Sequence, residues 1–165
     1  MFGLLEAPIP NNTSIIIQAL WGSIGYSVGA LLGAALADSN RRAILFVGDG
    51  SFQLTAQEIS TMLRHHLTPI IFLINNDGYT IERAIHGANM SYNDIQSWQY
   101  AQLPKIFGDN VCNAQVHTEQ DLESALKQTE RRRDTMWFIE VFMDRDDCPE
   151  TLRKLGKACE TKNQA

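Results

Sequence analysis

Two short motifs carry residues that could do chemistry together. The first is Val47-Gly48-Asp49-Gly50-Ser51-Phe52, in which an apolar run ends on an aspartate between two glycines. Gly48 and Gly50 let the backbone approach a ligand closely, and the helical pattern that follows favours an anion such as a phosphate. Asp49 offers a hard oxygen of the kind Mg²⁺ prefers. The second motif is Asn75-Asn76-Asp77-Gly78, again at the end of an apolar run. Asp-Gly is a common turn, so either motif alone could be a simple bend. Their matched placement at run ends is what a bend does not explain. The Asp49 carboxylate, the Asn76 side-chain oxygen and a backbone carbonyl near Gly78 could surround one metal ion, leaving its other positions to ligand phosphates and water.

These motifs need elements to bring them together. Short, continuous apolar runs rich in β-branched residues lie at Ser14–Ile17, Ala43–Val47, Ile70–Ile74 and Met136–Met143, with a weaker one at Val111–His117. Continuous rather than alternating hydrophobicity marks strands covered on both faces. Helical spacing predicts helices over Gly22–Ala37, Leu54–His66, Asp121–Arg131 and Pro149–Asn163, with Thr118 and Asp121 as an N-terminal cap. Gly25, Gly29 and Gly33 recur on one face of the first helix, which suggests close backbone packing there. The expected class is α/β: three α/β/α layers around a mostly parallel sheet, in one domain over 1–165 with its core at about 11–160. The irregular stretch from Asp77 to Gln102 follows a core run, where open α/β sheets bind ligands.

Composition narrows the function. The chain has 165 residues, 44% hydrophobic and 20% charged, with a net charge of −5. That charge argues against nucleic acid as a partner, because phosphate-backbone binding needs a basic footprint. Cys112, Cys148 and Cys159 form no CxxC pair, so a disulfide framework or zinc ribbon is not expected. The longest small-apolar stretch, Ile24 to Ala37, is too short to span a bilayer. A cytoplasmic location without membrane contact is the expectation.

Gly48-Asp49-Gly50, 24 residues and Asn75-Asn76 resemble the thiamine-diphosphate signature. The similarity extends further. WGSIGYSVGALLGAAL, GDGSFQLTAQEIS, IIFLINNDGYTIERAIHG, YNDIQSW and DRDDCPETLRKLGK resemble the C-terminal, diphosphate-binding (PP) domain of pyruvate and indolepyruvate decarboxylases. The resemblance covers roughly residues 11–160.

It implies thiamine diphosphate and Mg²⁺ as cofactors. Asp49 and Asn76 match the side-chain metal ligands and Gly78 the backbone ligand. Gly48, Gly50 and Ser51 match the turn that meets the diphosphate. Gly22 matches a carbonyl that accepts from the aminopyrimidine, followed by Ser23, and Ile24 matches the bulky residue under the bend between the cofactor's rings. Tyr79, Thr80 and Ile81 match the segment beside the cofactor. Glu82 matches a catalytic glutamate near the substrate carboxylate, where it could move protons after decarboxylation. Without the resemblance, Glu82 reads as a solvated helix residue within reach of pairing with a neighbouring Arg. Ile81 and Ile85 match pocket-lining positions, and Leu155 falls where small-substrate bacterial relatives carry Trp. His65-His66 reads as a helix end and His86 as supporting structure.

The implied reaction turns a small 2-oxo acid into an aldehyde and CO₂, with the cofactor holding the electrons released. Relatives outside this branch, such as acetolactate synthases, often carry Met where Ile24 stands. The family's activating glutamate lies on a pyrimidine-binding domain of the same or a partner subunit, and no counterpart is found here. The chain is therefore expected to be inactive alone and part of a homo-oligomeric enzyme. The alternative is a non-catalytic assembly module derived from such an enzyme.

Overall fold

The computed structural model describes residues 7–163, with side chains to Cys159. Four strands form one parallel sheet in the order β1-β2-β4-β3: β1 Ile44–Gly48, β2 Ile70–Asn75, β3 Val111–Val116 and β4 Met136–Phe142. Seven helices connect or flank them: α1 Tyr26–Ala37, α2 Asp49–Gln53, α3 Glu58–Arg64, α4 Thr80–His86, α5 Leu103–Phe107, α6 Glu119–Arg131 and α7 Glu150–Asn163.

Both faces of the sheet are packed. On one, Leu45, Val47, Ile71, Leu73 and Phe138 meet Val28 and Leu31 of α1, Phe52 of α2, and Ile59 and Met62 of α3. On the other, Ile70, Phe72, Trp137, Ile139 and Val116 meet Ala125 of α6. This two-sided burial explains the continuous runs of β2 and β4, whereas β1 buries Leu45 and Val47 and leaves Ile44 and Phe46 exposed. The three-layer α/β/α expectation holds.

Four predicted strands are present within a residue at either end, including the weaker Val111 run. Ser14–Ile17 is not a strand. Ile15, Ile16 and Ile17 are 50%, 55% and 40% exposed. Arg41 clasps this segment instead, donating to the Asn12 carbonyl at 2.8 Å and to Ser14 Oγ at 3.0 Å. β-Branched content marks a tendency to be buried, but a strand also needs a ladder partner. None of the four strands pairs with this run.

The helices differ in detail. α1 starts at Tyr26, because Gly25 caps it in the left-handed region at φ 91°. A Cβ on Gly25 would lie 3.0 Å from Leu54 Cβ, so the first glycine does permit close approach. Gly29 and Gly33 face open space. The single helix expected over Leu54–His66 is shorter: only Glu58–Arg64 is α-helical, as α3, with turns over 54–57, and α2 lies before it at Asp49–Gln53. His65 closes α3 and His66 turns at φ 55°, both exposed, in agreement with a helix end.

α6 carries the predicted cap as a full box: Asp121 N–H donates to Thr118 Oγ1, and Asp121 Oδ2 accepts from the Thr118 N–H. The Thr118 bonds hold the Asp121 carboxyl below the usual carboxylate range. Its contribution is complete above pH ~4 and is lost as pH falls through that lowered value. Thr118→Ala should therefore cost about 1 kcal/mol at pH 7, read as a lower urea midpoint. That deficit should shrink toward pH 2.

Candidate functional site

The parallel register sets the site. Gly48 at the end of β1 pairs with Ile74 of β2, so Asp49 and Asn76 leave the carboxyl ends of adjacent strands. Asp49 is 1% exposed. Its Oδ1 accepts from the Gly50 N–H at 2.8 Å and its Oδ2 from the Gly78 N–H at 3.0 Å. The first and second motifs are thus joined through one carboxylate. Burial pushes the Asp49 carboxyl up from its ordinary value, the two N–H donors pull it down, and the nearby Asp77 raises it again. No cation pairs with Asp49 among the described residues.

Backbone shape in the second motif needs its glycine. Asp77 and Gly78 both have positive φ, 57° and 109°. A Cβ at Gly78 would lie 2.2 Å from the Asn93 carbonyl oxygen. That carbonyl also accepts the Tyr79 N–H at 2.9 Å. Asn76 donates through Nδ2 to Thr80 Oγ1 at 2.7 Å, and Thr80 donates to the Arg145 carbonyl at 2.8 Å. These bonds fix the amide so that its oxygen remains available. Tyr79 lies over the Gly48–Ser51 turn: its hydroxyl reaches the Gly50 carbonyl at 3.3 Å, and a Cβ on Gly50 would lie 2.5 Å from its ring.

The segment before α1 is tied to the same turn. Gly25 N–H donates to Ser51 Oγ at 2.9 Å, and Thr55 Oγ1 donates back to the Gly25 carbonyl at 2.8 Å. Ile24 therefore stands next to the Gly48–Ser51 turn and is 43% exposed. Gly22, at φ 57°, and Ser23, whose N–H donates to Gln18 Oε1, complete an exposed bend. Leu20 and Trp21 beside them are 94% and 83% exposed, an apolar surface of the kind that partners cover.

α4 presents the candidate catalytic group. The Glu82 side chain is part-exposed and its Oε2 lies 2.7 Å from His86 Nδ1. The neighbouring Arg83 is not its partner. Arg83 instead donates from Nη2 to Asp94 Oδ1 at 2.8 Å and to the Asp77 carbonyl at 2.6 Å. Ile81 and Ile85 are half-buried on α4, and Leu155 on α7, which packs against α4, is 37% exposed.

Two features of the surroundings were not foreseen. Glu140 of β4 is 2% exposed and accepts from Asn75 Nδ2 at 2.7 Å and Gln115 Nε2 at 3.0 Å. It locks Asn75, the residue before Asn76, and borders a polar cavity of about 550 Å³. A charged residue inside the apolar run Met136–Met143 was the only sign of it. The second is the web of Arg83, Asn93, Asp94 and Arg145 that braces the Asp77-Gly78 bend. Its members are spread over 63 positions, from 83 to 145, with no local pattern.

The donors fit a divalent cation and a diphosphate. A buried carboxylate without a cationic partner, a fixed amide and a carbonyl in a glycine-shaped bend are hard oxygens of the kind Mg²⁺ takes. Among the described residues no group of three or more His, Cys, Asp or Glu is placed to hold a metal ion. No described helix is long and apolar enough to cross a membrane.

Comparison with known proteins identifies the family. Residues 4–141 match the family model for the thiamine pyrophosphate enzyme C-terminal TPP binding domain. A pyruvate decarboxylase of Aspergillus fumigatus is 50% identical, covering 99% of this chain and 30% of its own length. One of Aspergillus terreus is 48% identical, over 98% and 30%. An alpha-keto-acid decarboxylase of Mycobacterium leprae is 42% identical, over 99% and 29%. The chain thus spans about 30% of the length of these curated relatives. The fold is similar to that of a Rhodococcus jostii RHA1 thiamine diphosphate-dependent 4-hydroxybenzoylformate decarboxylase, with TM-score 0.67 and 24% identity over 77% of this chain and 24% of that one. The chain belongs to the family of thiamine pyrophosphate enzyme C-terminal TPP binding domains.

Proposed function

We propose that the chain is the diphosphate- and Mg²⁺-holding part of a thiamine-diphosphate-dependent decarboxylase acting on a 2-oxo acid of the pyruvate or indolepyruvate type. The observation that carries this reading is Asp49: buried, without a cation, and bonded to both Gly50 and Gly78. Asp49, Asn76 and the Gly78 carbonyl would hold the metal. Gly48, Gly50 and Ser51 would meet the diphosphate. When bound, the cofactor supplies an electron sink for the carbon that loses CO₂.

The chain's own residues do the rest. Gly25 and Ser51 keep Ile24 beside the turn, where it would support the cofactor's bend. Glu82, positioned by His86, would hold or move a proton near the substrate. Ile81, Ile85 and Leu155 would bound the substrate on its apolar side, with Leu155 leaving more room than an aromatic side chain.

Exposed Leu20, Trp21, Ile24 and Tyr26 suggest where a pyrimidine-binding domain, in the same or a partner subunit, would close the site. Turnover then needs protein surface beyond these 165 residues. Purified chain given pyruvate, thiamine diphosphate and Mg²⁺ should release no aldehyde above background in a coupled reductase assay. Steady aldehyde formation would contradict that part of the reading.

A further inference from the structure

One face of the sheet changes character along its strands. Leu73, Val111 and Phe138 belong to the apolar core on that face. Side chains alternate along a strand, so Asn75, Asn113, Gln115 and Glu140 lie on the same face, nearer the carboxyl ends. There they line the cavity of about 550 Å³. That size is in the range of small-molecule sites.

The amides of this wall spend their donors on the protein. Glu140, 2% exposed, has no cationic partner among the described residues. Carboxylate oxygens accept, so Asn75 and Gln115 must turn their NH₂ groups toward it, at 2.7 and 3.0 Å. Asn113 Nδ2 likewise donates to the Ala101 carbonyl. The three amide oxygens therefore point away from these partners. None accepts a side-chain or backbone hydrogen bond among the described residues, and none is a buried orphan, so they are reachable from the cavity that their residues line.

Charge and aromatic surface point the same way. Glu140 is the one charged residue in the lining, and the remaining polar side chains there are neutral. A buried carboxylate without a cation is costly. Trp98 and Phe142 also line the cavity, and aromatic faces attract cations.

We infer that this cavity binds an organic cation with N–H donors, an ammonium or guanidinium group, which donates to the amide oxygens of Asn75, Asn113 and Gln115 above the Glu140 charge. The carboxylate acts through its field across the amides it holds, so direct contact is not required. The cavity lies along β2, β4 and β3, whereas Asp49 leaves β1. The assignment does not depend on the function proposed above.

The test is NMR titration of the isotope-labelled 165-residue chain, at constant ionic strength, with methylammonium and guanidinium. Tetramethylammonium, a cation without N–H donors, and neutral acetamide serve as controls. Saturable shifts are expected at the side-chain amides of Asn75, Asn113 and Gln115 and at the Trp98 indole, with both controls at least tenfold weaker. Tighter binding of guanidinium would indicate a guanidino ligand, and tighter binding of methylammonium an amine. Glu140→Gln, checked for a native spectrum, should bind about tenfold more weakly or worse. Trp98→Ala, at a partly exposed position, should bind about threefold more weakly. Wild-type affinity in either variant, equal binding of either control, or no saturable shift at those groups up to about 20 mM cation would each overturn the assignment.

Discussion

Gly78→Ala is expected to lower stability by roughly 3 kcal/mol or more and to abolish Mg²⁺-dependent binding of thiamine diphosphate. Three facts combine at this residue. Its φ of 109° is one that side-chain-bearing residues rarely adopt. Its missing Cβ would stand 2.2 Å from the Asn93 carbonyl oxygen, which is held by the Tyr79 N–H and cannot give way cheaply. Its own N–H donates to Asp49 Oδ2 at 3.0 Å. Relieving the clash must move Gly78 or Asn93, and either movement breaks the link between the two motifs. Urea denaturation and a cofactor titration on the same preparation would check both effects. Binding at wild-type affinity would show that the bend is not part of the site.

Asp49→Ala should separate the two effects. It removes a buried charge that has no cationic partner, which favours the fold, but it also orphans the Gly50 and Gly78 N–H groups, which opposes it. These terms offset one another, so the urea midpoint should move less than in Gly78→Ala. Metal binding has no such compensation. Asp49 is the anionic member of the donor set, and the amide and carbonyl that remain are weak ligands without it. Mn²⁺ used as a paramagnetic substitute in the presence of thiamine diphosphate should broaden the Gly78 and Gly50 amides in the wild type, and at least 100-fold less strongly bound metal is expected in the variant. Wild-type broadening in Asp49→Ala would remove the carboxylate from the metal site.

Much of the site was legible because it is local. Gly48-Asp49-Gly50 and Asn75-Asn76-Asp77-Gly78 each sit where an apolar run stops, and a parallel sheet turns run ends into neighbours. β1 and β2 do pair, in a register that places Asp49 beside the end of β2. Burial on both faces wrote continuous hydrophobicity into β2 and β4, so these strands could be located from the residues alone; β1 is as apolar in sequence, yet Ile44 and Phe46 on its second face are exposed. What escaped depends on distant partners. Ser14–Ile17 has a strand-like composition, yet Arg41 rather than a neighbouring strand receives it. Glu82 could be placed by its motif, but its partner is His86 one helical turn on, while Arg83 reaches Asp94 across the loop. Glu140 is an acid inside an apolar run, and only the fold reveals that Asn75 and Gln115 converge on it. α5, with Pro104 in its first turn, was hidden in a stretch whose short helical segments are too brief for periodicity to show.

The central claim is that Asp49 joins the two motifs into one Mg²⁺–diphosphate site. Its most direct test is calorimetric and NMR titration of thiamine diphosphate into the chain, with and without Mg²⁺. The account expects saturable binding that requires Mg²⁺, with amide shifts centred on Gly50, Ser51 and Gly78, and loss of both in Asp49→Ala. Absence of shifts at those three amides at millimolar cofactor and Mg²⁺, or binding indifferent to Mg²⁺, would contradict it.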